Sequence, residues 1–218
     1  MGKELAKMVS WLFLPLFTPI YALLLVFYIP SQPNTFHLFD SLYHYPEPLK
    51  ILILLLFVVF IVLAPGLSLL VLKWNGTISS LELDIKEERN TPISIMVFYS
   101  LVLYLFLVVQ DVDNYVPYTL KGMVLGGVIA SAAAYLFNKI DKLSLHGIGV
   151  GSLFGFIYSY YLNAEIFPVW VIVVVILVGS ITVMARLFLQ KHTLNQLFHG
   201  YLVGFLAQFL CIYFYSVY

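Results

Sequence analysis

The stretch ILILLLFVVFIVLAPGLSLLVL, from Ile51 to Leu72, carries no charged residue and is bracketed by Lys50 and Lys73. As an α-helix it extends about 33 Å, enough to cross the hydrocarbon core of a bilayer. Working outward from it, the rest of the chain repeats the pattern. Hydrophobic residues make up 62% of 218 residues and charged residues only 10%. Soluble domains run nearer half apolar and about a quarter charged, and a water-soluble globule of this size has no interior for so much apolar surface. A soluble enzyme, a nucleic-acid binder and a disordered chain are excluded on that ground. With 11 basic and 11 acidic residues the net charge is zero, so no acidic partner is implied. The single cysteine, Cys211, lies in an apolar run and permits neither an internal disulfide nor a cysteine metal cluster.

Seven apolar stretches follow from the charge map: Met8 to Tyr28, Ile51 to Leu72, Ile93 to Gln110, Leu120 to Phe137, Gly147 to Ala164, Ile166 to Ala185, and Thr193 to Tyr218. Pro30 and Pro33 end the first, Asp111 and Asp113 close the third, and Lys121 sits where it can snorkel at the edge of the fourth. The run Val171-Ile172-Val173-Val174-Val175-Ile176 would suit a buried strand in a soluble protein. Length and the absence of alternation favour helix, and nothing shows the alternating ten-residue strands of an outer-membrane barrel. We therefore expect one all-α integral membrane domain over residues 1–218, a bundle of six to seven transmembrane helices, in the cell (inner) membrane. No small-residue cleavage site follows the first span, so no removed signal peptide is expected. Gly147, Gly151 and Gly155 share one helix face, as do Gly126, Ala130 and Ala134, which predicts close helix packing.

Three short polar segments interrupt this pattern: Lys86 to Pro92, Leu143 to Gly147, and Ala185 to Gln196. Two expected spans separate the first from the second, and two more separate the second from the third. An even number of crossings puts all three at one membrane face. There, Arg89 and Arg186 can clamp a phosphate through charge-assisted hydrogen bonds. The chain at Ser144 to Gly147 opens a helix, whose free N–H groups also favour an anion. His146 and His192 can divide a displacement at phosphorus, one attacking and the other protonating the leaving oxygen. Gln196 lies one turn after His192 on the same face. His199 lies about 10 Å deeper along that helix, too far to orient His192, and is expected to be a packing contact. His37 and His44 fall in the first loop, without metal-helix spacing.

In order and spacing these segments resemble the type-2 phosphatidic acid phosphatase superfamily of membrane lipid phosphatases, which shares its site with vanadium haloperoxidases. The family has three motifs: Lys, six residues, Arg-Pro; then Pro-Ser-Gly-His; then Ser-Arg, five residues, His, three residues, Asp. Arg186, five residues and His192 match the core of the third, Ser144-Leu145-His146 matches two of the four positions of the second, and Arg89 stands for the arginine of the first. The resemblance covers about residues 82–200 and is nearest to small members from Bacteroidetes-type bacteria. It implies that His192 is the nucleophile forming a phosphohistidine, that His146 is the acid for the departing alcohol, and that Arg89, Arg186 and Ser144 hold the phosphate oxygens. No metal or other cofactor is required. The substrate implied is a membrane lipid phosphate monoester or diphosphate; a catalytically impaired relative that binds anionic lipids is the alternative.

The departures are specific. Glu82 stands where the family lysine belongs; Lys86, on the right loop at another spacing, is the lysine expected to join the phosphate-binding set. Asn90 replaces the first-motif proline, Leu143 and Leu145 replace Pro and Gly, and Ala185 replaces Ser. Gln196 replaces the aspartate that orients the nucleophile; its amide oxygen can accept the imidazole N–H but brings no charge. Of the basic residues, Lys3, Lys7, Lys73, Lys86, Arg89, Lys139, Lys142, Arg186 and Lys191 fall at the motif face, and Lys50 and Lys121 at the other. That asymmetry puts the motif face in the cytoplasm.

Overall fold

The computed structural model describes residues 2–34, 41–111 and 116–217. Of the residues discussed above, His37, Asp113 and Tyr218 lie outside that set. The described chain is all-α, with one isolated bridge between Gln32 and Ile166. Its helices are α1 (Lys3–Leu12), α2 (Thr18–Tyr28), α3 (Glu47–Phe57), α4 (Ala64–Trp74), α5 (Asn90–Val109), α6 (Tyr118–Phe137), α7 (Leu145–Asn163), α8 (Val169–Phe188) and α9 (Leu194–Val217).

Among the described residues, five helical runs are long and apolar enough to cross a membrane: Glu47–Trp74, Glu87–Val109, Tyr118–Phe137, Val169–Phe188 and Leu194–Tyr215. Several long apolar helices of this kind fit a multi-pass membrane protein. The first of them joins α3 and α4 through a π-helical stretch, Val58–Leu63. Pro65 explains it: a proline supplies no N–H and its ring displaces the carbonyl four residues back, so the ladder widens locally.

Two expected spans differ from that pattern. The stretch from Met8 to Tyr28 is broken at Phe13–Phe17 into α1 and the 11-residue α2. Pro15 cannot continue a helix, and Pro19 sits in the first turn of α2, where its missing N–H is harmless. The fifth stretch, α7, carries Gly147, Gly149, Gly151 and Gly155 with several Ser and Tyr residues. It is the most enclosed helix, packed against α2, α6, α8 and α9. A helix surrounded by protein need not be apolar all round.

The α7–α9 contact organises the bundle. A Cβ added at Gly151 would fall on the Tyr201 carbonyl oxygen, one at Gly204 on the Ile148 carbonyl, and one at Gly155 only 2.5 Å from the Phe205 carbonyl. The two backbones therefore touch along their length, in parallel, as the four-residue glycine spacing predicts. Gly126 of α6 meets the Gln208 side chain of α9, while Ala130 and Ala134 join a small apolar cluster with Ile93 and Ala207. One consequence bears on function: the N-termini of α7 and α9 lie side by side, and the Ser144 N–H donates to the Gln196 carbonyl at 3.2 Å.

Candidate functional site

Four separate segments meet at one end of the bundle. The Arg89 guanidinium donates to the Leu83 carbonyl at 2.7 Å and, across to the α6–α7 loop, to the Leu143 carbonyl at 2.8 Å. His146, at the start of α7, bonds the Ser10 carbonyl of α1 through Nε2 at 3.0 Å. A carbonyl only accepts, so Nε2 carries the hydrogen and Nδ1 is the free nitrogen of the neutral ring. Lys191, after α8, pairs with Asp84 at 2.6 Å and Glu82 at 3.1 Å. Lys142 donates to the Asp84 carbonyl at 2.6 Å.

Arg89, His146, Arg186 and His192 line one cavity of about 320 Å³. The rest of its lining is mostly apolar, including the π stretch and α4 (Val62, Leu63, Leu67, Leu70) with Trp11 and Leu14. A second cavity of about 320 Å³ shares His146, Arg186, Trp11, Leu14 and Glu82 with the first and adds Lys3, Lys7 and Lys191. A cationic vestibule and an apolar chamber thus meet at His146 and Arg186.

Both arginines are 2% exposed. Among the described residues neither forms an ion pair, and the Arg186 Nε has no hydrogen-bond partner. An unpaired buried cation is unfavourable unless an anion arrives to meet it. In the loops the charges are settled locally. Burial would raise the Asp84 carboxyl, but the Lys191 hydrogen bond, with Lys142 and Arg186 nearby, holds it below the usual range.

His192 lies between α8 and α9, 8% exposed. Burial, then the positive charges of Arg89, Arg186 and Lys142, push its pKa down to about 3. It is therefore neutral at physiological pH, the form that can attack phosphorus. Its Nδ1 lies 3.3 Å from the Gln196 Oε1. The amide orientation is fixed from both sides: Oε1 accepts from the Thr193 N–H at 3.3 Å, and Nε2 donates to the Asp141 carboxylate at 3.2 Å. Nδ1 accordingly carries the hydrogen, and Nε2 is left with the lone pair. Thr193 and Gln196 also form a reciprocal capping box at the start of α9, since the Gln196 N–H donates to the Thr193 hydroxyl at 3.3 Å.

Not every sequence-assigned residue reaches the cavity. The Ser144 hydroxyl is fully buried and caps α7, accepting from the Gly147 N–H at 3.2 Å. Lys86 turns away and donates to the Ile140 carbonyl at 3.0 Å. In its place Lys191 lines the vestibule. Gln196 stands behind His192 rather than in the cavity, and the Asp141–Gln196–His192 chain supplies a carboxylate one residue further back. His199 is exposed, its ring edge-on to Phe198, and His44 sits at the opposite end in a 3-10 turn beside Tyr43. Sequence reasoning missed Lys191, Asp141 and the α1 contribution of Ser10 and Trp11. No local pattern in the chain signals these, whereas the capping pattern Thr193-x-x-Gln196 does signal how Gln196 is held. Among the described residues no group of His, Cys, Asp and Glu could hold a metal ion. In comparisons with known proteins, no family model, no curated protein and no solved structure matches the chain.

Proposed function

We propose that the chain is a metal-independent membrane lipid phosphatase that hydrolyses a lipid phosphate monoester or diphosphate through a phosphohistidine. The observation that carries this reading is the single cavity that two arginines without an ion pair and two histidines from separate segments line together with a mostly apolar set of side chains. The phosphate would sit against Arg89 and Arg186, with the acyl or prenyl chain along Val62 to Leu70. Phosphatidic acid, phosphatidylglycerophosphate, prenyl diphosphates and lipid A phosphates all have the required shape.

In the first step His192 Nε2 attacks phosphorus, the P–N bond forms and the P–O bond to the alcohol breaks. His146, having taken up a proton at Nδ1 beside the anionic phosphate, gives it to the leaving oxygen. Water then attacks phosphorus, the P–N bond breaks, and His146 receives the water's proton. The arginines stabilise the charge on the equatorial oxygens throughout. Gln196 holds the His192 tautomer, backed by Asp141.

The proposal extends to architecture and place: six to seven transmembrane helices in the inner membrane, with α1 lying at the interface and the site facing the cytoplasm. A reactive cysteine at the exposed Thr77, with the buried Cys211 replaced by alanine, should be labelled only after the membrane is opened. Labelling by an impermeant reagent in intact cells would reverse the orientation.

The amide at position 196, where the family has a carboxylate, favours a second reading, a lipid binder that does not turn over. Phosphate release from a lipid-phosphate panel separates the two. We expect release that vanadate inhibits, that chelators leave unchanged and that His192→Ala abolishes while lipid binding persists. Binding without release in the wild type would establish the second reading, and activity lost to a chelator and restored by a divalent ion would overturn the metal-free chemistry.

A further inference from the structure

The first helix presents three faces. At about 100° per residue, Ala6 and Ser10 fall on one side of α1, Lys3, Glu4 and Lys7 on a second, and Leu5, Met8 and Leu12 on a third. Ala6 and Ser10 are buried, and the main packing partner of α1 is α8. Leu5, Met8 and Leu12 are each more than half exposed. Lys3, Lys7, Ser10 and Trp11 line the vestibule, and Trp11 also lines the chamber, so α1 walls both cavities.

The end of α1 reaches the site itself. The helix stops at Leu12, ahead of Pro15, which has no N–H to continue it. Carbonyls in the last turn of a helix lack an intrahelical partner. The Ser10 carbonyl belongs to that turn and accepts the His146 Nε2 hydrogen at 3.0 Å. Among the described residues this is the only hydrogen bond of the His146 ring, and it decides which nitrogen is left free for the phosphate.

The protein grips α1 from one side, through Ala6 and Ser10 and through the Tyr21 hydroxyl, which donates to the Leu12 carbonyl at 2.7 Å. The apolar stripe is left bare. Leucine and methionine on one face and lysine on the next fit the interfacial layer of a bilayer carrying anionic lipid, where the stripe enters the acyl boundary and the ammonium groups meet phosphates. Three side chains fall short of the roughly 800 Å² per partner that a stable protein interface buries, so a second protein chain is the poorer match.

We propose that α1 is a bilayer-seated clamp on His146: with Leu5, Met8 and Leu12 set in the interfacial layer of an anionic-lipid membrane, α1 stays against α8 and keeps the Ser10 carbonyl on the imidazole, so that the site is complete only at a membrane surface. The part His146 plays as an acid rests on the phosphatase reading; the seat and the clamp do not.

The test uses the full chain in vesicles of phosphatidylcholine and phosphatidylglycerol. A nitroxide at Met8→Cys, in a Cys211→Ala background, should collide with oxygen more often than with a water-soluble nickel chelate. Isotope labels at the histidine ring nitrogens and at the serine carbonyl carbons report the clamp. Their dipolar coupling should be present in the wild type and lost in Ser10→Ala, whose carbonyl carries no label. Met8→Asp with Leu12→Asp charges the exposed stripe and leaves the buried face of α1 alone. That pair should lift α1, abolish the coupling and lower phosphate release by about tenfold, part of what a positioned acid contributes. A nitroxide met more often by the chelate would overturn the seat, and a coupling that survives the double aspartate variant would overturn the clamp. Seat and clamp in a chain that releases phosphate from no lipid would keep this inference and remove the phosphatase. Release that is unchanged in the double variant would keep the phosphatase and remove the inference.

Discussion

The two ends of the bundle treat buried cations in opposite ways. At the end away from His146 and His192, Lys121 pairs with Asp111 at 2.7 Å, with the two side chains 15% and 3% exposed. Lys50 lies over the rings of Tyr28 and Tyr43, 5.3 Å from each centroid, with Glu47 4.0 Å away. Ser31, Ser41, Tyr160 and the Leu42 N–H form a closed hydrogen-bond network there. At the site end, Arg89 and Arg186 are as deeply buried but form no ion pair among the described residues: Arg89 donates to two carbonyls, and Arg186 faces the cavity with Glu82 and Asp84 acting on it only from a distance. One end is electrostatically finished by its own residues. The other is left incomplete, which is the condition a phosphate would relieve.

The largest effect that tests this contrast is on activity. Arg186→Leu should lower phosphate release by about 10²–10³ or more, the usual consequence of removing a preorganised donor from a charge-developing site. Arg186→Lys should recover little, since a point charge does not reproduce the planar fork. Lys121→Met, at the finished end, should leave turnover per folded molecule near wild type. Comparable losses at both positions would erase the distinction.

Stability should run the other way. Lys121→Met removes the cation from a carboxylate that is 3% exposed and that keeps the Val116 N–H, and should destabilise the fold by about 3 kcal/mol, seen as a fall in thermal midpoint in detergent. Arg186→Met removes a buried cation that has no ion pair, only the more distant Glu82 and Asp84, and should stabilise the fold by about 0.5–2 kcal/mol, seen as a higher midpoint. If both variants melt lower, Arg186 is a structural residue.

A smaller effect concerns the tautomer of His192. Gln196→Leu removes the acceptor for the Nδ1 hydrogen and should slow turnover by about tenfold. Asp141→Asn should slow it less, since it acts through the amide. The pH profile sharpens this. Attack needs neutral His192, so activity is present above its pKa and lost as pH falls through it. With that pKa pushed down to about 3, His192 should set no acid limb near pH 6.5. Gln196→Asp brings a negative charge to the imidazole and should move the acid limb upward. Identical rates and profiles for wild type, Leu and Asp variants would detach Gln196 from the nucleophile.

How much of this was legible depended on the residue. The uncharged run Ile51 to Leu72 declared its helix because hydrophobic length is a local property, and the structure extends it only to Glu47–Trp74. The break at Pro15 was written in the chain but masked by the apolar residues on both sides. Counting crossings grouped Arg89, His146, Arg186 and His192, and those four line one cavity. Ser144 and Lys86 are on the same loops yet serve a helix cap and a loop carbonyl. Loop membership is a topological fact, whereas the direction of a side chain is set by packing.

The sequence by itself determined the all-helical class, the glycine seam that brings α7 and α9 together, and the end of the bundle at which the polar segments gather. Each follows from composition or from a period of about 3.6 residues, which neighbours in the chain suffice to express. Only the tertiary structure decided that Lys191 rather than Lys86 faces the vestibule, that Asp141 stands behind Gln196, that Ser10 holds His146, and that Gln208 keeps an unanswered acceptor in the middle of the bundle. Those pairings join residues up to 136 positions apart. They depend on how closely glycine lets two backbones approach, a distance that no local pattern encodes.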